Sequence, residues 1–189
     1  MEDFIIIIIS IVVLLAIYFF NQRDLVSVKS DVDEREYFVA NLPDKRKAAN
    51  LISLLKRNLV NFRNRIKNDS NPEYREYIEN LIIKFDENTL VTEGLPKKNM
   101  TSYTINKGQE IVFCIRKKNL DLHDLNILLY VGIHEISHIA CPEIGHTPLY
   151  NKIFRYFLKR GIEYGIYQDD NYETNPQEYC GMTLNSYIL

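Results

Sequence analysis

A chain of 189 residues has room for one compact domain and a short appendage. Its 23 Lys and Arg nearly balance 25 Asp and Glu, which excludes a general attraction to polyanions. Three cysteines, an odd count with no short-range spacing, do not read as a disulfide framework and fit a reducing compartment.

Residues 4–20 read FIIIIISIVVLLAIYFF, with Ser10 as the one polar side chain. As a helix this stretch reaches about 25 Å, the short end of what spans a bilayer. Glu2 and Asp3 stand where a cleaved signal peptide carries basic residues, and no small-x-small cleavage site follows. The segment is therefore expected to be a retained transmembrane helix. Arg23, Lys29 and Lys45-Arg46-Lys47 all follow it, so the positive-inside rule puts the N-terminus outside and the rest on the cytosolic side, or under a virion membrane. The expected division is an anchor over 1–22, a polar tether over 23–42 and one α+β domain over 43–189.

That domain opens with a helix. Ala48, Leu51, Ile52, Leu55, Leu59, Phe62 and Ile66 recur every three or four residues, and Lys45, Arg46, Lys47, Lys56, Arg57, Arg63, Arg65 and Lys67 fill the other face. The basic face is first of all a solvated face. Nucleic acid or anionic lipid are the partners it would suit. Asn68 to Pro72 breaks the pattern, and a second helix is expected over 73–85. Short strands are expected at 90–92, 101–106 and 110–116. The last two flank Asn106-Lys107-Gly108-Gln109 as a hairpin, and EIVFCIR is apolar enough to be buried on both faces.

Asp121 is the predicted N-cap of a helix that is apolar nearly all round, from Leu122 to Ile139, and hence central. Pro142 ends it. A last helix runs from about Pro148 to Arg160, with Gly161 and Gly165 as candidate stops. The tail is polar and aromatic, with a tight turn expected in 175–182.

The central helix carries His134-Glu135-Ile136-Ser137-His138. Histidines four apart lie on one face, one turn from each other, and can grip one Zn²⁺. Glu135 is rotated away, towards water rather than metal, as a general base requires. Chance places such a pattern in roughly one chain of this length in a hundred or fewer. Unpaired burial of these groups would also cost several kcal/mol, which coordination would remove. A catalytic zinc site takes three protein ligands and an open position. His146 is the candidate third ligand, because Pro142 and Gly145 let the chain turn back. Glu143 is its rival, with Asp169, Asp170 and Glu178 more remote. Cys141 reads as a small packed hydrophobe. Tyr179 is either a packed aromatic or a hydroxyl placed to stabilise an oxyanion.

His134-Glu-Ile-Ser-His138, then Gly145-His146-Thr-Pro, then Tyr150 and Phe154 on a following helix, resemble the WLM and SprT-like metallopeptidases over roughly residues 100–160. The Ile-, Asn-, Lys- and Tyr-rich composition would suit a member from a large DNA virus. The resemblance implies a small zincin-like domain in which His134, His138 and His146 hold zinc and Glu135 is the general base. It further implies a strand beside the cleft, within 110–116 or its hairpin partner, that holds a peptide by β-addition. The expected function is a membrane-anchored zinc peptidase. The competing readings are a zinc-binding structural or virion membrane protein without turnover, and a protease acting on DNA–protein crosslinks.

Overall fold

The computed structural model describes residues 7–15, 25–94 and 101–189. Residues 7–15 are helical, and the rest of the expected 4–20 anchor lies outside the described residues. Among the described residues no helix is long and apolar enough to cross a membrane. This overturns the single-pass anchor, and with it the orientation and membrane localisation derived from it.

The segment read as a tether carries a hairpin. Leu25–Lys29 (β1) and Glu36–Ala40 (β2) pair antiparallel, with Leu25 opposite Ala40 and Lys29 opposite Glu36. Tyr37 and Val39 point into the core, while Glu36 and Phe38 between them are exposed. Asp31, Asp33 and Glu34 in the turn dominate the composition of the stretch and hide this alternation.

The amphipathic pattern that follows forms Lys45–Ile66 (α1), whose Ile52, Leu55, Leu59, Phe62 and Ile66 are fully buried. A 3₁₀ turn at Pro72–Tyr74 leads into Arg75–Lys84 (α2). Leu90–Glu93 (β3), Tyr103–Ile105 (β4) and Glu110–Phe113 (β5) form one sheet in the order β3-β5-β4. β5 is central and buried, parallel to β3 and antiparallel to β4. β4 is therefore an edge.

The next helix starts later than expected. Arg116 bridges Leu122, and the His123 amide donates to the Ile115 carbonyl (2.9 Å), so the chain doubles back along β5 before it coils. Helix α3 then spans Leu125–Ala140 behind Asp124 rather than Asp121. It packs against α1, α2 and β4, and against the helix Pro148–Glu163 (α4). Gly132 lets α1 come close: a Cβ there would lie 2.9 Å from Leu59 Cδ2. Thr147 caps α4 by accepting from the Tyr150 amide (3.2 Å), and Pro148 takes the first turn. Gly161, expected as a stop, is instead a close-packing position against Ile133, and the helix ends before Gly165.

The tail forms a second hairpin, Gln177–Tyr179 (β6) with Met182–Leu184 (β7). Cys180 and Gly181 both have positive φ, at 53° and 82°, as a two-residue type I′ turn requires. A disulfide joins Cys180 to Cys114, just beyond β5. This corrects the expectation that the cysteines form no disulfide framework. The partners are 66 residues apart, so no local pattern announces them. Cys141 is free and buried.

The bridge should matter for stability. Closing a 66-residue loop stabilises a fold by about 4 kcal/mol in the chain-entropy account. The Cys114→Ala/Cys180→Ala protein should lose roughly that much in urea unfolding of the oxidised protein. A loss below about 1 kcal/mol would mean that non-covalent contacts alone hold the hairpin.

Candidate metal centre

His134 and His138 project from one face of α3, and His146 returns to them from the exposed loop after it. The three Nε2 atoms form a near-equilateral triangle: 3.3 Å between His134 and His138, 3.2 Å between His138 and His146, and 3.1 Å between His146 and His134. Tetrahedral coordination at about 2.0–2.1 Å separates ligand nitrogens by roughly 3.3 Å, so the spacing fits one zinc-sized cation. Hydrogen bonding among the rings does not account for it. Each nitrogen of a neutral imidazole is either donor or acceptor. Among three, at least one pair must then be two donors or two acceptors. A cation that takes all three lone pairs removes the conflict.

The rings are primed to offer those lone pairs. Burial, with His138 and His146 alongside, pushes the His134 pKa down to about 3. Burial, with His146 and Lys107 alongside, pushes His138 down to about 4. Both are therefore neutral at ordinary pH, as ligation requires. Glu135 is 4% exposed and lines the same cleft as the three histidines. Burial alone pushes its carboxyl up to about 8, and a nearby cation would work in the opposite direction.

Tyr150, in the first turn of α4, underpins the cluster. Its ring stacks on His138 (centroids 4.0 Å apart) and meets His134 and His146 at steep angles, 5.3 and 5.0 Å away. Its hydroxyl donates to the His134 carbonyl (3.2 Å). Burial raises the phenol pKa, which keeps that donor protonated.

The loop that carries His146 is tied down by a residue the sequence did not single out. Lys107 Nζ, in the β4–β5 turn, donates to the carbonyls of Cys141 (2.7 Å), Pro142 (3.1 Å) and Glu143 (2.9 Å). An ammonium suits these orphan acceptors just past the C-terminus of α3. The β-turn spacing around Gly108 was visible, but its contact with a loop 34 residues on was not.

The rival ligands lie elsewhere. Among the described residues the metal-competent group is His134, His138 and His146, without Glu143. Asp169 accepts from the Tyr187 hydroxyl, Asp170 from Asn175 and Glu178 from the Gly181 amide. Tyr179 does reach the cleft, where its hydroxyl sits 2.5 Å from Ser102 Oγ. Of the basic face of α1, Lys56 is buried, Arg63 donates to the Ile82 carbonyl and Arg65 to that of Tyr164.

The cleft measures about 390 Å³. Its floor is α3, one wall is β4 and the other is the β6–β7 hairpin. Of the two strands considered for substrate pairing, β5 is covered on both sides and β4 has one side without a partner strand among the described residues.

No family model matches the chain, and no solved structure matches it. Curated viral proteins do. The chain is 36% identical over 197 residues to uncharacterized protein R325 of Acanthamoeba polyphaga mimivirus, with the whole of both chains covered. It is 32% identical over 111 residues to uncharacterized protein 136R of Invertebrate iridescent virus 6, covering 56% of this chain and 60% of that protein. It is 33% identical over 86 residues to uncharacterized protein 042R of Invertebrate iridescent virus 3, covering 45% and 52%. The chain belongs to the family of the mimivirus protein, and these relatives are all viral.

The Lys107 clamp leads to a prediction. Lys107→Met should weaken Zn²⁺ affinity by roughly 10–100-fold, as loss of groups that orient ligands does, while Lys107→Arg should recover part of it. Competition with a chromogenic chelator measures this. Equal affinity in wild type and Lys107→Met would remove the lysine from the site.

Proposed function

We propose that this protein is a zinc-dependent peptidase with His134, His138 and His146 as ligands and Glu135 as general base. The observation that supports this best is the convergence of three imidazoles, with a carboxyl that is no ligand beside them, in a cleft bordered by a sheet edge. Zinc held by the three histidines would supply Lewis acidity, polarising a carbonyl and lowering the pKa of water to about 7.

The chain's own residues supply the rest. β4 pairs with an extended peptide and fixes the scissile carbonyl over α3. Glu135, as carboxylate, takes the proton of the attacking water and returns it to the leaving nitrogen. Its burial keeps bulk water from competing for that proton. Tyr150 and Lys107 hold the ligands in place without touching substrate. A purely structural zinc site has no need of Glu135, which is why hydrolysis is favoured over a scaffold role.

Glu135→Gln tests this, because it keeps size and hydrogen bonding but removes the base. The variant should retain fold and Zn²⁺ and lose at least roughly 10²-fold of peptide hydrolysis. His134→Ala should lose both the metal and the activity. Wild type and Glu135→Gln equally inert on a broad panel of unfolded proteins, with zinc bound in both, would favour the scaffold.

A further inference from the structure

The cleft beside the histidines is chemically lopsided. Apart from Glu135 and the three histidines, no Asp, Glu, His, Lys or Arg lines it; the other side chains are hydroxyls and apolar groups. The apolar ones come from two elements. Tyr130 and Val131 precede His134 and Glu135 by one turn of α3 and face the same way. Met182 and Leu184 from β7 line the same cleft.

The two halves differ in stiffness. Tyr130 is held by Phe154, Tyr167 and Tyr172, with ring centroids 5.4, 5.9 and 5.0 Å away. Met182 is 50% exposed on a hairpin of three-residue strands, and its unbranched thioether adapts to what it meets. One turn of helix is about 5.4 Å, close to the two-residue repeat of an extended strand at about 6.6 Å. A peptide lying along β4 with its scissile bond over His134 would therefore drop a side chain near that bond between Tyr130 and Met182.

We infer that the site selects extended peptide segments with a bulky apolar side chain beside the scissile bond, received by Tyr130, Val131, Met182 and Leu184. This rests on reading the cleft as a peptidase site. An acidic side chain there meets no Lys or Arg in the lining, gives up its hydration and faces Glu135.

Binding separates the two ideas. The zinc-loaded full chain carrying Glu135→Gln is titrated calorimetrically with two blocked alanine-based hexapeptides that differ at one central position, leucine in one and aspartate in the other. The leucine peptide should bind at least about tenfold tighter, as a filled apolar pocket commonly gives. Met182→Asp, a change at an exposed position, should remove that preference, and Met182→Leu should keep it. Equal binding of the two peptides, or no binding of either, would overturn the inference. Discrimination by Glu135→Gln with no cleavage of the leucine peptide by wild type would sink the hydrolytic reading and leave the pocket standing. Cleavage of both peptides at equal rates would do the reverse.

Discussion

Helix α3 is enclosed by α1, α2, α4 and β4, and that enclosure sets the terms for everything near it. Ile127, Leu128, Ile133, Ile136 and Ile139 are buried on several sides of one helix, and the half-buried stripe through Tyr130, His134 and His138 is left to the cleft. Placing two histidines and a glutamate on such a helix is costly unless something nearby repays the lost hydration. Ser137 shows the ordinary solution: its hydroxyl donates to the Ile133 carbonyl one turn back (2.7 Å). The imidazoles have no such local route, and they meet each other and His146 instead. The cleft follows from the same constraint, because it lies on the side where α3 meets the strand β4 rather than a helix.

Two tethers hold the walls around that floor. Arg116, 1% exposed, donates to Glu93 Oε1 (2.6 Å), Asp44 Oδ2 (2.8 Å) and the Leu120 carbonyl (2.9 Å), while Glu93 accepts from the Ala40 amide (2.8 Å). One guanidinium thus joins the ends of β2, β3 and β5 to the start of α1. Replacing one member would strand a buried charge, which costs about 3–5 kcal/mol. The disulfide does the same work on the other side, where three-residue strands bury too little to hold a hairpin unaided. It is reinforced by the Cys180 amide donating to the neutral His123 ring (3.3 Å) and by Ser102 joining Tyr179 to the Cys114 amide.

What was legible in the sequence had a period. The stripe from Ala48 to Ile66, the all-round apolar run before His134 and the stripe from Leu149 to Leu158 each repeat over several turns, and each became a helix within a few residues of its expected bounds. Two of the three clustered histidines share that periodicity. The third was readable through Pro142 and Gly145, which force a return. What was hidden depends on pairing across distance. The Cys114–Cys180 bond, the Arg116 cluster and the Lys107 clamp join segments 23 to 72 residues apart, and no local spacing encodes them. The β1–β2 hairpin was hidden for another reason: its acidic turn outweighed two short alternating strands in composition. The apolar run over 4–20 misled because hydropathy reports preference for a nonpolar environment, whereas among the described residues no helix is long and apolar enough to cross a membrane.

The site is built from parts of unequal rigidity, and this has a thermodynamic consequence. His134 and His138 are held by a buried helix, whereas His146 is exposed on a loop restrained by Lys107 and the Thr147 cap. Without a cation, the three rings gain little by staying together, since one pair among them is always mismatched. With one, each ring gains a bond, and the loop is fixed to the helix as part of the same event. Binding of a cation would therefore be linked to fixing the segment from Pro142 to Thr147, each strengthening the other. Lys107 reduces the entropy to be lost by holding the first half of that loop in advance. It does so from the turn that leaves the edge strand β4, so the strand proposed to take the peptide and the loop that completes the candidate metal site share one anchor.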